Sequence, residues 1–252
     1  MGTATKKTIE QLVSENHNYF QMAISVDCVI FGFDNNELKV LLIKSDLEEF
    51  NNEWSLLGDL VQLNENPDAA SYRVLKEKTG LENVFLEQVH TFGDVNRHPA
   101  GRVITIAYYS LVDINHHQLK LLQNELHWHP VKDIKTLAFD HKKILFTCLE
   151  QLQSKVSEHP IVFNLLPEKF SLRELQTLYE AILGIKLDRR NFRKKFLMMN
   201  WLTDVNEWEQ NVTHRPGRLY KFKMCRHPGS TDDDESIASS YHVAGIKKEN
   251  NY

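Results

Sequence analysis

The apolar residues of this 252-residue chain change period once, near residue 140, and that change limits the fold more than any other feature. Before it, "AISVDCVIFGF" and "LKVLLIKS" are short runs rich in branched and aromatic residues, the pattern of strands. The "DNNE" between them supplies turn chemistry, so a hairpin is expected. "NEWSLLGDLVQ" then leads into a helix from about Asp68 to Thr79, with Asn66-Pro67 as its start signal and Gly80 as its C-cap. "VFLEQVHTFGD" and "RVITIAYYSLVD" read as strands around the loop "DVNRHPAG", and "LHWHPVKDI" as a last short strand and turn. From "AFDHKKILFTCLEQLQSKV" onward the period is helical. A short amphipathic helix over residues 8–20 precedes the strands. Three segments follow: a mixed α/β domain over 1–145, a mostly helical domain ending in a hairpin over 146–226, and a polar, aperiodic tail over 227–252 that is expected to be disordered.

Charge separates the same segments. Residues 1–170 carry a net charge of -7, residues 171–223 carry +5, and the remainder carries -2. A short basic block between acidic flanks suits a polyanion-binding module, although a solvated basic face has the same composition. No run reaches the roughly 18 to 20 apolar residues that a membrane span needs, and "MGTATKKTIEQ" lacks the apolar stretch of a signal peptide. Cys28, Cys148 and Cys225 are odd in number and far apart, which fits neither a disulfide framework nor a metal-ligand spacing. A cytoplasmic protein without membrane contact is expected, with no metal and no cofactor.

The basic block has local structure written into it. Ser171 and Glu174 form an S-x-x-E capping box. Leu172, Leu175, Tyr179 and Ile182 make one apolar stripe, and Gly184 ends the helix. Asp188 can cap a second helix on which Phe192, Phe196 and Met199 share a face. At 100° per residue, Arg189, Arg193, Arg190 and Lys194 fall between about 60° and 200° from Phe192, and Leu197 lies on the same arc. A buried face backed by a basic one, after a short turn from another helix, is helix-turn-helix geometry. "TDVNEWEQNVTHRPGRLYKFK" adds two strands with His214, Arg215 and Arg218 around a Pro-Gly tip, which reads as a wing. The candidate contacts to double-stranded operator DNA are therefore Ser171, Arg173, Arg189, Arg190, Arg193, Lys194, His214, Arg215 and Arg218. A helical protein-interaction domain with a solvated basic face is the alternative.

In the first domain, "LLGDLVQLNENPDAASYRVLKEKTGL" resembles a Nudix box, which reads G, five residues, E, seven residues, R-E-apolar-x-E-E-x-G-apolar. Aligned on Gly80, the family Gly falls on Asp59, the first Glu on Glu65 and the Arg on Arg73. The three helix glutamates fall on Val74, Glu77 and Lys78, so one survives. In Nudix hydrolases those glutamates hold Mg²⁺ or Mn²⁺ against a diphosphate. Val74 offers no ligand, and the Lys78 ammonium either repels the ion or replaces its charge. The same helix is also explained by packing alone, with Ala70, Val74, Leu75 and Leu81 inward.

A metal-poor Nudix pocket joined to a winged helix resembles the Nudix-related transcriptional regulators, over roughly residues 20–225. The resemblance implies an α/β fold: an N-terminal Nudix-like α/β/α sandwich with a C-terminal winged helix-turn-helix domain. It also implies a homodimer, a metabolite sensor and no enzyme activity. Within that family the chain most resembles the arabinose-responsive branch. The expectation is a repressor of sugar utilisation that L-arabinose releases from its operator. ADP-ribose is the second effector, with regulation of NAD metabolism, and an active Nudix diphosphate hydrolase is the third reading. A sugar needs planar hydrogen-bonding groups and an apolar face, which Asp27, Lys44, Trp54 and Asp59 supply if they line the cavity. Arg102 and Lys78 would add positive charge for a diphosphate. A plain structural role stays open for each, for Trp54 above all.

Overall fold

The computed structural model describes residues 22–45, 47–50, 52–82, 84–114, 126–158, 161–210, 212–213 and 215–223. The expected helix over 8–20, the tail over 227–252, His214 and Cys225 lie outside the described residues.

The first domain is a seven-stranded mixed sheet. Strand β1 (Ala23–Asp34) turns back into β2 (Glu37–Lys44) through Asn35 and Asn36, both at positive φ, so the turn chemistry of "DNNE" is realised. β3 (Trp54–Ser55) pairs with β2, and β4 (Leu57–Leu60) pairs with β1. Helix α1 (Pro67–Thr79) follows. Asn66 caps it, its side chain accepting from the Ala69 amide at 2.8 Å, and Gly80 closes it at φ 72°. β5 (Glu87–Phe92) is antiparallel to β6 (Val103–Val112), and β7 (Leu126–Pro130) pairs with β2. Among the described residues, the one parallel pairing joins β1 to β6, from Ala23 opposite Val103 to Gly32 opposite Val112.

Side-chain alternation along these strands makes two cores. On one face Val26, Cys28, Ile30, Leu41, Ile43 and Tyr108 pack against Ala70, Val74 and Leu75 of α1. On the other, Val29, Phe31, Val40, Leu42, Tyr109 and Leu111 meet Ile144, Leu145, Cys148, Leu152 and Val156 of α2 (His141–Glu158). The sheet lies between α1 and α2, an α/β/α sandwich. Buried Cys28 and Cys148 are free thiols, and burial pushes Cys148 up to about 12.

The second face does not end with α2. Its core runs on into Phe170, Leu172, Leu175, Leu178, Tyr179 and Ile182, then Phe192 and Phe196. These residues belong to β8 (Phe170–Ser171), α3 (Leu172–Leu183) and α4 (Arg189–Met198). Both halves of the expected capping box are present: Glu174 N–H donates to Ser171 Oγ at 3.3 Å, and Ser171 N–H donates to the Glu174 carboxylate at 2.7 Å. Asp188 caps α4 by accepting from the Asn191 amide at 2.8 Å. β9 (Leu202–Trp208) and β10 (Arg218–Phe222) form the wing and pair with β8 in a three-stranded sheet. Among the described residues, no helix is long and apolar enough to cross a membrane.

Because the core is continuous, Leu152→Ala on α2 should cost about 2–5 kcal/mol and lower both domains together. Urea unfolding followed by far-UV circular dichroism and tryptophan fluorescence should give one coincident transition, shifted to lower urea. Ser171→Ala should cost about 1 kcal/mol through loss of the cap.

Candidate effector pocket and nucleic-acid interface

A cavity of about 380 Å³ opens where β1, β4 and the start of α2 converge. Asp27 lies at its base, 4% exposed, between buried Val26 and Cys28 of β1. Thr105 Oγ1 donates to Asp27 Oδ2 at 2.7 Å, and Ser25 Oγ donates in turn to Thr105 at 2.7 Å. Space for the carboxylate comes from Gly58, its partner across the β1–β4 pair: a Cβ there would lie 2.1 Å from Asp27 Oδ1.

Two further groups hold this acid. Arg97, from the loop between β5 and β6, has Nη2 3.7 Å from Asp27 Oδ2 and grips Asp140 in a fork, at 3.0 Å from Nε and 2.7 Å from Nη2. His141 Nε2 lies 3.4 Å from Asp27 Oδ1. The Leu56 amide donates to His141 Nδ1 at 3.1 Å, so Nδ1 is the acceptor and the ring proton sits on Nε2, facing the acid. Burial pushes the imidazole below its ordinary range, and it stays neutral despite the carboxylates beside it. Phe139, held at φ 54°, stacks on His98 at 4.9 Å, and both line the cavity.

Of the five expected ligand contacts, Asp27, Lys44 and Asp59 line this cavity. Trp54 and Arg102 do not line it. Trp54 is a packing residue, edge-on to His127 and His129 and covered by the Lys44 ammonium at 4.2 Å, while its carbonyl accepts from the Ala138 amide. Arg102 Nη1 donates to the Gly93 carbonyl at 2.6 Å and pins the β5–β6 loop. Sequence reasoning missed Arg97, His98, Phe139 and His141. The one local hint was "FDH" at the start of a helical run.

The box residues are arranged around Arg73. Its guanidinium reaches Glu65, Asp59, Glu77 and the Leu60 carbonyl, with the shortest contact 2.8 Å to Glu65. Arg73 in turn holds the Glu65 carboxyl below the usual range. Val74 is fully buried, and Lys78 lines the cavity with no partner among the described residues. No group of three or more His, Cys, Asp or Glu among the described residues is placed to hold a metal ion. The donor set does not fit a hard divalent cation, which needs several oxygen ligands free to turn towards it.

The other end of the molecule is a basic surface. Phe192 and Phe196 bury one face of α4 against Tyr179, at ring separations of 5.6 and 5.0 Å. Arg189, Arg190 and Lys194 are exposed on the far side, with Arg193 half-buried. None of the four pairs with a described residue, and neither does the exposed Arg173. Leu197 stands among them, 53% exposed. Ser171 is buried, and its side chain is engaged in the cap. On the wing, Arg215 is exposed, while Arg218 pairs with Asp204 at 2.6 Å and lies over Trp208. The free charge is thus concentrated on α4.

An α/β/α Nudix sandwich with a walled cavity, continuous with a winged helix whose recognition surface is uncompensated positive charge, defines a ligand-responsive DNA-binding regulator. The Nudix domain model matches residues 22–148, and the NrtR DNA-binding winged helix domain model matches residues 162–222. The chain is 30% identical over 215 residues to the ADPR responsive transcriptional repressor NtrR of Acinetobacter baylyi, covering 83% of this chain and 86% of that one. Shewanella oneidensis NrtR complexed with a 27mer DNA superposes with a TM-score of 0.70 at 28% identity, over 79% of this chain and 93% of that one. The Nudix domain of the same protein complexed with ADP ribose gives 0.51 at 26% identity, over 58% and 99%. The chain belongs to the NrtR family of Nudix-domain transcriptional regulators. None of these relatives names arabinose, so the expected arabinose-responsive branch is not supported, and two of them name ADP-ribose.

Arg190→Ala combined with Arg193→Ala should remove two charge-assisted contacts worth about 1 kcal/mol or more each, weakening binding of a selected duplex by at least roughly 30-fold. Fluorescence anisotropy measures this, with Lys76→Ala as the unaffected control. A second expectation concerns pH. The folded chain keeps His141 neutral where the unfolded chain's imidazole takes a proton, so its contribution to stability is lost as pH falls through about 6.5. His141→Asn should flatten that part of the stability profile.

Proposed function

We propose that the protein is a transcriptional repressor whose Nudix domain binds ADP-ribose, rather than L-arabinose, and which leaves its operator when that effector binds. Two relatives support the effector. One is named an ADPR responsive repressor, and the other is a Nudix domain solved with ADP ribose. The observation that carries the reading is the Lys78 ammonium on the cavity wall, unpaired among the described residues, where hydrolases of this fold carry a metal-holding carboxylate. A diphosphate brings its own negative charge and is suited to an ammonium, with Lys44 on the same wall. Asp27 at the base is suited to accept from ribose hydroxyls. A neutral pentose can accept hydrogen bonds from those ammonium groups but brings no charge to offset theirs.

The same features support a site that binds the diphosphate without cutting it. Hydrolysis of this class needs a hard cation held by several carboxylates, and here Val74 and Lys78 replace two while Arg73 holds Glu77 and Glu65. The protein acts as a homodimer in the cytoplasm in this reading, with two copies of α4 meeting two half-sites of a palindromic operator.

Saturating ADP-ribose should raise the melting temperature and weaken binding of a selected duplex by about 100-fold, which requires about 2.7 kcal/mol of differential affinity. L-arabinose should do neither. Incubation with ADP-ribose and Mg²⁺ or Mn²⁺ should yield no AMP or ribose phosphate. A response to arabinose alone, or turnover that depends on the cavity, overturns the proposal.

A further inference from the structure

The cavity and the recognition helix share no residue, yet one helix serves both. The entry to α2 is cavity wall: Phe139, just before the helix, and His141, its first residue, line it, and Asp140 stands between them outside the lining. The Asp140 side chain is bound by the Arg97 fork, and Arg97 faces Asp27 across the cavity base. The carbonyl of Asp140 also accepts the first helical amides, from Lys143 at 2.8 Å and Ile144 at 3.2 Å. Whatever moves Arg97 therefore acts directly on the start of α2.

Further along, α2 is buried against the winged helix. Leu152 and Val156 lie in the shared core, and Gln153 Nε2 donates to the Ile182 carbonyl in the last turn of α3 at 2.8 Å. Tyr179, one turn earlier on α3, carries Phe192 and Phe196 of α4 on its ring. An 18-residue helix is about 27 Å long, so a small tilt at its first turn becomes a larger displacement at its last. The Arg97 side chain is 2% exposed, with Asp27 and Asp140 as its two acids. A buried guanidinium with two acids can shift its weight between them without losing a partner, and an anion entering the cavity competes for it.

We infer that the Arg97–Asp140 ion pair is the positioning contact through which occupancy of the effector cavity sets the placement of α4, with α2 as the rigid element between them. The inference rests on the effector reading above. Asp140 itself lines neither the cavity nor the DNA-facing surface, so its variants leave the duplex-binding residues in place. The full-length chain is tested against a duplex it has selected from a random pool, with ADP-ribose as the effector. Operator affinity is read by anisotropy and effector affinity by calorimetry.

In the wild type, saturating ADP-ribose weakens duplex binding by about 100-fold. Asp140→Asn keeps the duplex affinity of the effector-free chain within about threefold and still binds ADP-ribose by calorimetry, but its response to ADP-ribose falls below about fivefold. Asp140→Glu, which keeps the charge, restores most of the response. Asp140→Asn with the full response overturns the inference, including when its melting temperature has dropped, because the pair is then structural only. If Asp140→Asn does not melt cooperatively, Gln153→Ala tests the far end of the same helix. A reduced response there supports α2 as the connecting element, and a full response overturns it. A wild type that binds the duplex but ignores ADP-ribose removes the effector reading and this inference with it. A wild type that responds beside an Asp140→Asn that responds equally removes the inference alone.

Discussion

Helix α2 buries one apolar surface against two different partners, and the rest of the molecule is arranged around that fact. Ile144, Leu145 and Cys148 are inaccessible against the sheet, and Leu152 and Val156 continue the same core towards α3. Residues that cover two elements at once cannot shift on one without disturbing the other, because protein interiors are close-packed and yield little. The winged helix is therefore mounted on the sensor domain. A mounted domain can transmit a change of position, whereas a tethered one transmits only proximity. That difference gives the family architecture a physical basis for regulation in this chain.

The charges buried beside the cavity carry a second argument. Asp27, Arg97 and Asp140 form a cluster that is nearly out of water, with neutral His141 against it. Such clusters contribute little net stability, since desolvation offsets most of the attraction, and well-packed apolar residues often do better. In the proposed reading the presence of Asp27 is better explained by what it does for a bound molecule. Asp27 retains acceptor capacity beyond the single hydroxyl that Thr105 donates, and Gly58 keeps the space around it open. Both features cost packing, and both serve a polar guest.

Much of this fold was legible because many of its signals are local. Asn66, Gly80, Ser171 with Glu174, and Asp188 each act within four residues, and each sits in the structure where the chain places it. The Asn35–Asn36 turn is of the same kind. The parallel pairing of β1 with β6 has no such signature: Asp27 meets Ala107, 80 positions further along the chain, and only the assembled sheet brings them together. The pocket inherits that difficulty. Arg97 comes from a loop, Phe139 from a residue at positive φ, and His141 from a helix start, and nothing in their spacing connects them to Asp27. Trp54 and Arg102 looked suitable by residue type, yet one packs against histidines and the other ties down a loop. The basic arc of α4 was readable because a helix converts sequence spacing directly into direction in space.

The box around Arg73 shows how a scaffold keeps its shape while its chemistry changes. The guanidinium collects three carboxylates and a carbonyl, so the turn between β4 and α1 stays folded although Asp59 replaces the glycine of the motif. Those contacts hold the acids near α1 in place, and of the three helix positions of the motif the one that lines the cavity is Lys78. An ammonium on that side favours an anionic guest in every state, whereas a metal held by carboxylates favours the displacement at phosphorus that cleaves it. A group that stabilises bound substrate and transition state alike deepens binding without lowering the barrier to reaction. In the proposed reading the exchange of acid for base at position 78 therefore retains affinity for the diphosphate while removing the means of breaking it, which is what a sensor of that molecule requires.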